Sequence, residues 1–231
     1  MTRIAVVGLG RMGKMVSTLA PQSGCEVVAQ LGPADTARGI LRESLNGAEV
    51  VLEFTSPSAA ASVVRACVDL GVPVVSGTTG WDAERVEVEA LVRRSSGALL
   101  WSPNFAIGVH LFARVVAEAS RLFMHHGTGF NAHLTETHHA EKRDLPSGTA
   151  RMLADVSERV QGLPVPITSV RTGQVPGTHE LVFDAPFERV RLVHEALDRR
   201  LFAAGALAAA RWIVGRRGVF TLDDLLGEAK R

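Results

Sequence analysis

The stretch Ile4-Ala5-Val6-Val7-Gly8-Leu9-Gly10-Arg11-Met12-Gly13 decides the fold class. An apolar run typical of a buried strand leads into the pattern G-x-G-x-x-G, and Met12, Met15, Val16 and Leu19 then follow at helical spacing. Glycines at these places allow a tight turn and a close approach of the backbone to a pyrophosphate, which the N–H groups of the next helix face. The order strand, glycine loop, helix predicts dinucleotide binding by the loop from Gly8 to Gly13, through Gly8, Leu9, Gly10, Arg11, Met12 and Gly13. The alternative is a tight turn without a ligand.

The chain beyond this loop falls into two patterns. Up to Trp101, apolar strand-like runs at 26–31, 50–54, 73–76 and 98–101 alternate with helical segments at 36–45, 57–70 and 82–95, which predicts a parallel sheet covered on both faces. After residue 108, a long apolar helix, an alternating strand at 130–137 and a helix at 147–161 precede three strand-like stretches between 167 and 194. The predicted fold class is therefore α/β, a Rossmann-type parallel-sheet domain plus a smaller α+β domain with a mixed or antiparallel open sheet. The break falls near 103–108.

Composition excludes several classes of protein. The 231 residues are 46% hydrophobic and 21% charged, as in a globular protein, and the net charge of +1 is unlike that of a nucleic-acid-binding domain. No apolar run approaches the length of a membrane span, and we see no signal peptide. The two cysteines, Cys25 and Cys67, form no metal motif and suit a reducing compartment, so we expect a cytoplasmic protein with no membrane or nucleic-acid partner.

All eight histidines lie between His110 and His194, and the densest polar segment of the chain lies inside that window. This segment runs from Glu136 to Ala150, between a predicted strand and a predicted helix, and contains His138, His139 and Lys142. Imidazole and ammonium groups can supply a proton and hold anionic oxygens. Ser147, Gly148 and Thr149 open the helix, whose N–H groups offer a second anion site. The pattern favours a dicarboxylate substrate over a merely solvated loop.

Two loops follow strands of the first segment. Gly77, Thr78 and Thr79 end the fourth strand, and Ser102, Pro103, Asn104 and Phe105 end the fifth. Ligands of open α/β sheets bind at the carboxyl ends of strands, so both loops are predicted to border the nicotinamide, with ordinary turns as the alternative.

The acidic residue that anchors an adenosine ribose is expected at the end of the second strand, about 20 residues after the glycine loop. The sequence there reads Gln30-Leu31-Gly32-Pro33, and the next acid is Asp35. The sequence therefore does not choose between NADPH and NADH.

These motifs resemble the 4-hydroxy-tetrahydrodipicolinate reductase family, also called dihydrodipicolinate reductases. The resemblance covers nearly the whole chain and is most specific in the string Glu136-x-His138-His139-x-x-Lys142-x-Asp144-x-Pro146-Ser147-Gly148-Thr149-Ala150, with further support from Glu53-Phe54-Thr55-Ser56-Pro57 and Val175-Pro176-Gly177. The sequence departs from the family pattern at the length of the glycine loop, at Gly32, and at Ala140 and Glu141.

The resemblance implies NAD(P)H-dependent reduction of a cyclic dicarboxylate in the diaminopimelate–lysine pathway, with loss of water. His138 would be a proton donor or acceptor and Lys142 a second donor, while His139, Ser147, Gly148 and Thr149 would bind substrate. It also implies that the C-terminal helix returns to the first domain, giving a dinucleotide-binding domain at 1–106 and 203–231 and a substrate and oligomerisation domain at 107–202. A homotetramer is expected.

Three alternatives remain at this point. A β-hydroxyacid dehydrogenase would share the glycine loop but needs an all-helical second domain. A regulatory Rossmann protein would bind cofactor without turnover. A zinc site built on His138, His139 and Glu141 lacks a completing ligand pattern, so no metal site is assigned.

Overall fold

The computed structural model describes residues 1–125 and 129–227. The chain divides into two compact units, Met1–Ala106 with Arg200–Arg231, and Ile107–Arg199, which we call the first and second units. None of the described helices is long and apolar enough to cross a membrane.

The first unit is built on a parallel sheet of six strands. They are β1 (Thr2–Val7), β2 (Cys25–Leu31), β3 (Val50–Glu53), β4 (Val74–Ser76), β5 (Ala98–Trp101) and β10 (Gly218–Phe220), in the spatial order β10-β5-β4-β3-β1-β2. The helices of this unit are α1 (Arg11–Leu19), α2 (Pro33–Arg38), α3 (Pro57–Asp69), α4 (Asp82–Arg94), α7 (Arg200–Ile213) and α8 (Leu222–Leu225).

Two apolar cores, one on each face, enclose this sheet. On one face Ile4, Val6 and Leu52 pack with α7 through Leu207 and Ile213. On the other, Val7, Val51 and Leu99 pack with α3 and α4. Burial on both faces explains why these strands read as continuous apolar runs, and it confirms the predicted Rossmann-type domain.

The second unit is a mixed sheet of four strands covered by helices on one face. Its elements are α5 (Ile107–His125), β6 (Asn131–His138), α6 (Gly148–Gln161), β7 (Ile167–Arg171), β8 (Gly177–Asp184) and β9 (Arg189–Ala196), with strand order β7-β6-β8-β9. β6 is parallel to β7 and antiparallel to β8, and β8 is antiparallel to β9. The core joins Leu134, Leu181 and Phe183 of the sheet to Val116 of α5 and Leu153 of α6.

The opposite face of this sheet is open within the unit. Val170 is 38% exposed and Val193 is 54% exposed, and the charged side chains of β9 lie on the same side. The sheet thus matches the predicted mixed, open form.

The structure differs from the sequence prediction in two places. The helix expected at 36–45 is replaced by α2, which ends at Arg38, and a short 3₁₀ turn at Glu43–Leu45. Pro33 suits the first turn of a helix, and Gly39 ends it with a positive φ of 90°. The second difference is β10, a strand of only three residues that the sequence pattern does not predict.

Candidate active site

The glycine loop between β1 and α1 has the geometry that a pyrophosphate needs. Gly8 has a φ of +97°, and a Cβ at this residue would lie 2.2 Å from the carbonyl oxygen of Phe54. A Cβ at Gly13 would lie 1.9 Å from the carbonyl oxygen of Gly8. Above Gly10, in contrast, an added Cβ meets no described atom within 4 Å, and no described side chain caps α1. The loop therefore leaves an open space in front of the N–H groups that begin α1, which fits a phosphate-bearing cofactor.

A buried carboxylate, that of Glu53, fixes the loops that follow β3 and β4. Glu53 lies at the end of β3 and is fully buried. Its Oε1 accepts hydrogen bonds from the Thr55 N–H (2.7 Å), the Thr55 hydroxyl (2.5 Å) and the Thr78 hydroxyl (2.7 Å). Its Oε2 accepts one from the Ser76 hydroxyl (2.5 Å). Both oxygens are thus satisfied by neutral donors, and the side chain ties the ends of two neighbouring strands together.

The two predicted cofactor loops are held mainly by their own contacts. Because the Thr78 hydroxyl is committed to Glu53, its side chain is directed into the protein, and its carbonyl oxygen accepts hydrogen bonds from the indoles of Trp81 (2.8 Å) and Trp101 (2.9 Å). Thr79 is exposed, and Gly77 leaves room for the Phe54 ring, which would lie 2.3 Å from a Cβ there.

The loop after β5 closes on itself in a similar way. The Ser102 hydroxyl donates to the Asn104 carbonyl oxygen (2.7 Å), and the Asn104 Oδ1 accepts from the Ala106 N–H (2.8 Å). Pro103 is exposed and Phe105 is buried. The Thr78 and Ser102 hydroxyls are therefore committed to contacts within the protein, while the exposed Thr79 and the loop backbone can face a cofactor.

The end of β2, where a ribose anchor is expected, carries no carboxylate in the described chain. β2 ends at Leu31, and the Gly32 N–H donates to the Asp35 Oδ2 (2.8 Å). Asp35 thus closes the first turn of α2 through one of its carboxylate oxygens.

In the second unit, polar side chains form one row across the sheet. Glu136 of β6 pairs with Ser169 of β7 and with His179 of β8, and His179 pairs with His194 of β9. These residues continue the face that carries Leu134 and the apolar core. A buried polar row at the end of an apolar face is costly unless its members satisfy one another.

Glu136 is the centre of this row. It is fully buried, and its Oε1 accepts hydrogen bonds from the Ser147 N–H (2.9 Å), the Ser169 hydroxyl (2.7 Å) and the Arg171 guanidinium (2.9 Å). Burial alone would raise the pKa of this carboxyl group, but hydrogen bonds from Ser147, Ser169 and Arg171 outweigh it and lower the pKa to about 2. Glu136 is therefore a buried anion at neutral pH.

Two histidines face the second oxygen of Glu136. The His138 Nδ1 lies 3.2 Å from Oε2, and the His179 Nε2 lies 3.9 Å from it. Burial lowers the pKa of His138, against the opposing effect of the Glu136 charge. Burial and then the charge of His138 lower the pKa of His179 to about 4, so His179 is neutral near pH 7. Its Nε2 lies 3.3 Å from the Ser147 hydroxyl.

The loop after β6 places Lys142 beside the start of α6. The Lys142 Nζ forms an ion pair of 2.7 Å with Asp144. Burial would raise the pKa of Asp144, but the hydrogen bond from Lys142, its charge and the backbone N–H of Gly148 hold that pKa below its usual value. Lys142 and the N-terminus of α6 thus already hold one carboxylate between them, that of Asp144. The two can therefore share an anion.

The remaining residues predicted from the sequence take different places. Ser147 caps α6, because its hydroxyl accepts the Ala150 N–H (3.1 Å). Gly148 is exposed and Thr149 is half-buried in the first turn. The His139 Nε2 lies 3.1 Å from the Arg199 guanidinium.

The structure groups potential metal ligands differently from the sequence. Among the described residues, ligand atoms of Glu136, His138 and His179 lie within 4.8 Å of one another, whereas the alternative considered above combined His138 with His139 and Glu141. The Arg171 guanidinium on Glu136 places a positive charge beside this cluster, which opposes a divalent cation.

Arg171 belongs to no motif in the sequence, and Glu53 and Gly177 occur only within stretches that support the family resemblance. Arg171 donates to the carbonyl oxygens of Lys142 (3.3 Å) and Asp144 (2.6 Å) as well as to Glu136, so it holds the polar loop against β7. An arginine in an alternating strand resembles any surface charge. Glu136 carries a detectable signal, because it falls at the spacing of two residues between Leu134 and His138, on the buried face.

Fold and site together define a class, the Rossmann-type oxidoreductases that use a nicotinamide cofactor. The chain matches the family model "Dihydrodipicolinate reductase, N-terminus" over residues 2–105 and "Dihydrodipicolinate reductase, C-terminus" over residues 108–226. The chain belongs to the dihydrodipicolinate reductase family, which confirms the resemblance stated above.

Individual relatives agree with this assignment. A protein of Thiobacillus denitrificans named 4-hydroxy-tetrahydrodipicolinate reductase is 33% identical over 97% of this chain and 98% of its own length. A protein of Myxococcus xanthus with the same name is 33% identical over 98% of each chain. The prediction of an oxidoreductase of this family is confirmed.

Solved structures agree on the fold. The dipicolinate-bound dihydrodipicolinate reductase from Paenisporosarcina sp. TG-14 superposes with a TM-score of 0.79 at 23% identity, covering 96% of this chain and 97% of its own. The all-helical second domain that a β-hydroxyacid dehydrogenase requires is contradicted by the mixed four-stranded sheet.

Proposed function

We propose that this protein reduces 4-hydroxy-tetrahydrodipicolinate to tetrahydrodipicolinate, with release of water, in diaminopimelate and lysine biosynthesis. The observation that carries the proposal is the segment after β6, in which an imidazole, an ammonium group and a helix N-terminus lie together in a chain that matches both halves of the family. The relatives named for this activity support the choice of substrate.

The first unit is the proposed dinucleotide-binding domain. The backbone from Gly8 to Gly13 would hold the pyrophosphate, and the loops at 77–79 and 102–105 would border the nicotinamide. When bound, the cofactor supplies a hydride. The role of Glu53 in this arrangement is to keep the two strand ends, and hence the loops, in one position.

His138 and Lys142 are the proposed proton donors. Reduction of the ring with loss of a hydroxyl group as water consumes one proton in addition to the hydride. The imidazolium of His138 can give that proton, since the anionic Glu136 stabilises the cation. Lys142 would stabilise the departing oxygen and the adjacent carboxylate.

The carboxylates of the substrate are proposed to bind His139, Ser147, Gly148 and Thr149. Asp144 already bonds to Lys142 and to the N-terminus of α6, so an incoming carboxylate would compete with it for these donors. A cyclic dicarboxylate fits the second unit because Lys142 and the N-terminus of α6 can hold a carboxylate. The solved relative with bound dipicolinate supports this choice of substrate.

We propose that NADPH serves at least as well as NADH. A carboxylate at the end of β2 would bind the 2′-hydroxyl of NADH and repel the 2′-phosphate of NADPH. The Asp35 carboxylate is instead engaged by the Gly32 N–H, so this discrimination against NADPH is removed.

The assay follows the loss of nicotinamide absorbance with freshly generated substrate, with NADPH and NADH in parallel. We expect oxidation of both, with kcat/KM for NADPH equal to or above that for NADH. Binding of cofactor without oxidation of either would favour the regulatory alternative and refute the reductase.

The variants His138→Gln and Lys142→Met test the proton donors. Each should lower kcat by about 10²-fold or more, because general acid catalysis contributes roughly that much, with cofactor affinity unchanged. An unchanged kcat in either variant would refute that residue's role. Arg143→Met, an exposed cation in the same loop, is the matched control and should retain its rate.

The assembly is proposed to be a homotetramer in the cytoplasm. The exposed valines on the open face of the β7-β6-β8-β9 sheet support association through this surface. Sedimentation equilibrium measures the mass directly, and a monomer at micromolar concentration would contradict the proposal.

A further inference from the structure

The second oxygen of Glu136 and the Nδ1 of His138 are both buried, and neither has a hydrogen bond within the described part of the chain. They nevertheless lie only 3.2 Å apart. A buried carboxylate oxygen and a buried imidazole N–H left unpaired each carry a desolvation cost, and a small rotation of the ring satisfies both. No comparable partner is available from His179, whose Nε2 is 3.9 Å from the same oxygen, too far for a hydrogen bond.

We propose that Glu136 is a positioning residue for His138: its free oxygen takes the Nδ1–H and thereby directs Nε2 to the substrate as the proton-transferring atom. The proposal rests on the proposed function of His138 as proton donor. Arg171, Ser147 and Ser169 act one step further away, because they hold the other oxygen of Glu136 and so fix the direction of the free one.

The environment of the Nε2 edge supports this orientation. A Cβ at Gly177 would lie 3.0 Å from the His138 Nε2 and 3.2 Å from its Cδ2. The glycine at the start of β8 therefore leaves the space in which this edge of the ring lies. Glu136 beside the Nδ1 edge and Gly177 beside the Nε2 edge therefore favour one orientation of the His138 ring.

Several charged and titratable groups act on His138, and a pH experiment has to separate them. They come from its own strand, the following loop, β7 and β8, and they are Glu136, Lys142, Asp144, Arg171 and His179. Of these groups, Glu136 is the one that lies beside Nδ1, at 3.2 Å. The Lys142 and Arg171 charges disfavour the imidazolium, and Glu136 favours it.

The first test is independent of turnover. Long-range ¹H–¹⁵N spectra of the full-length protein, with the His138 signals assigned by comparison with His138→Gln, report which ring nitrogen carries the proton. We expect neutral His138 to carry it on Nδ1. A proton on Nε2 in the unsubstituted protein overturns the proposal, whether or not any variant folds.

The second test uses Glu136→Gln. The amide can keep its oxygen toward the three donors and place its NH₂ toward Nδ1, so His138 should change to the Nε2–H form. Without the Glu136 charge the imidazolium of His138 is less stable, so the pKa of His138 falls. As the pH is raised, activity that requires the imidazolium should therefore be lost at a lower pH than in the unsubstituted enzyme. We also expect kcat to fall by roughly 10²-fold, with KM nearly unchanged.

Glu53→Gln is the control, because it makes the same change at a buried glutamate in the other unit. It should leave the position of the pH limb unchanged even if it lowers stability. An unshifted limb in folded Glu136→Gln overturns the positioning role. Absence of turnover in the unsubstituted protein overturns the proposed function instead, so the two failures are distinguishable.

Discussion

Two buried glutamates, one in each unit, show how the same side chain serves different purposes. Glu53 and Glu136 both lie on β-strands and both have no exposed surface. The hydroxyl and N–H donors around Glu53 are neutral and satisfy both of its oxygens. Glu136 receives Arg171 and two neutral donors on one oxygen only. A saturated carboxylate stabilises a local structure, whereas a carboxylate with a free oxygen has capacity left to act on a neighbour.

The largest effect on stability is expected from Glu53→Ala. This change leaves the donors of Thr55, Ser76 and Thr78 without their acceptor and opens a cavity. We expect a loss of roughly 3 kcal/mol or more in the free energy of unfolding, measured by urea denaturation. A loss below about 1 kcal/mol would mean that the carboxylate is not the structural centre of these loops.

Acid unfolding should distinguish the two sites. The pKa of Glu136 is lowered to about 2 from an ordinary value of 4.5, so the folded state binds fewer protons there than the unfolded state. Its contribution to stability is complete above pH 4.5 and is lost as the pH falls toward 2.

The measurement is the difference in unfolding free energy between the unsubstituted protein and Glu136→Gln. This difference should shrink as the pH is lowered through that window. A difference that stays constant with pH would contradict the low pKa.

Gly177→Ala should affect both catalysis and stability. The added methyl group approaches the His138 Nε2 at 3.0 Å and pushes the ring from its position. We expect kcat to fall by about 10-fold, less than the full general acid effect because the ring is displaced and not removed. The melting temperature should fall as well, because Gly177 is buried and has a φ of +157°, which an alanine adopts only with strain. Equal kcat in the alanine variant would show that the ring has room to move.

The smallest effect is expected from Ser169→Ala. This removes one of the donors to Glu136 Oε1 and leaves Arg171 and the Ser147 N–H in place. The loss should be about 1 kcal/mol, measured by thermal unfolding, with a small rise in the carboxyl pKa. A loss as large as that of Glu53→Ala would erase the distinction between the two glutamates.

Much of the fold was predictable because apolar periodicity is a local signal. The glycine loop, the alternation up to Trp101 and the change of pattern after residue 108 gave the correct classes of both units. β10 was not predicted because its three residues, Gly218 to Phe220, form a strand only through pairing with β5. The helix expected at 36–45 is wrong because Pro33 begins α2 and Gly39 ends it. These two residues override the helical spacing of the apolar residues that follow.

The site was predictable in its composition but not in its connections. The string from Glu136 to Thr149 identified the relevant segment, yet the row that joins Glu136 to Ser169 and His179 depends on strand register. Arg171 lies 35 positions from Glu136 in sequence, and no local sequence pattern predicts their hydrogen bond. Which donors a carboxylate receives is a property of tertiary structure.

The discontinuous first unit has a consequence for biosynthesis of the chain. The second unit, Ile107–Arg199, is an insertion between β5 and α7, and the first unit is completed only by Arg200–Arg231. The ribosome therefore releases all of the second unit before α7, which shares one face of the first sheet with α1, exists. On this face the sheet carries buried side chains that contact Leu207 and Ile213 only after α7 has been made, namely Ile4, Val6 and Leu52. During that interval this apolar face of an early-made sheet is covered by α1 but not yet by α7, a vulnerable stage for a nascent protein.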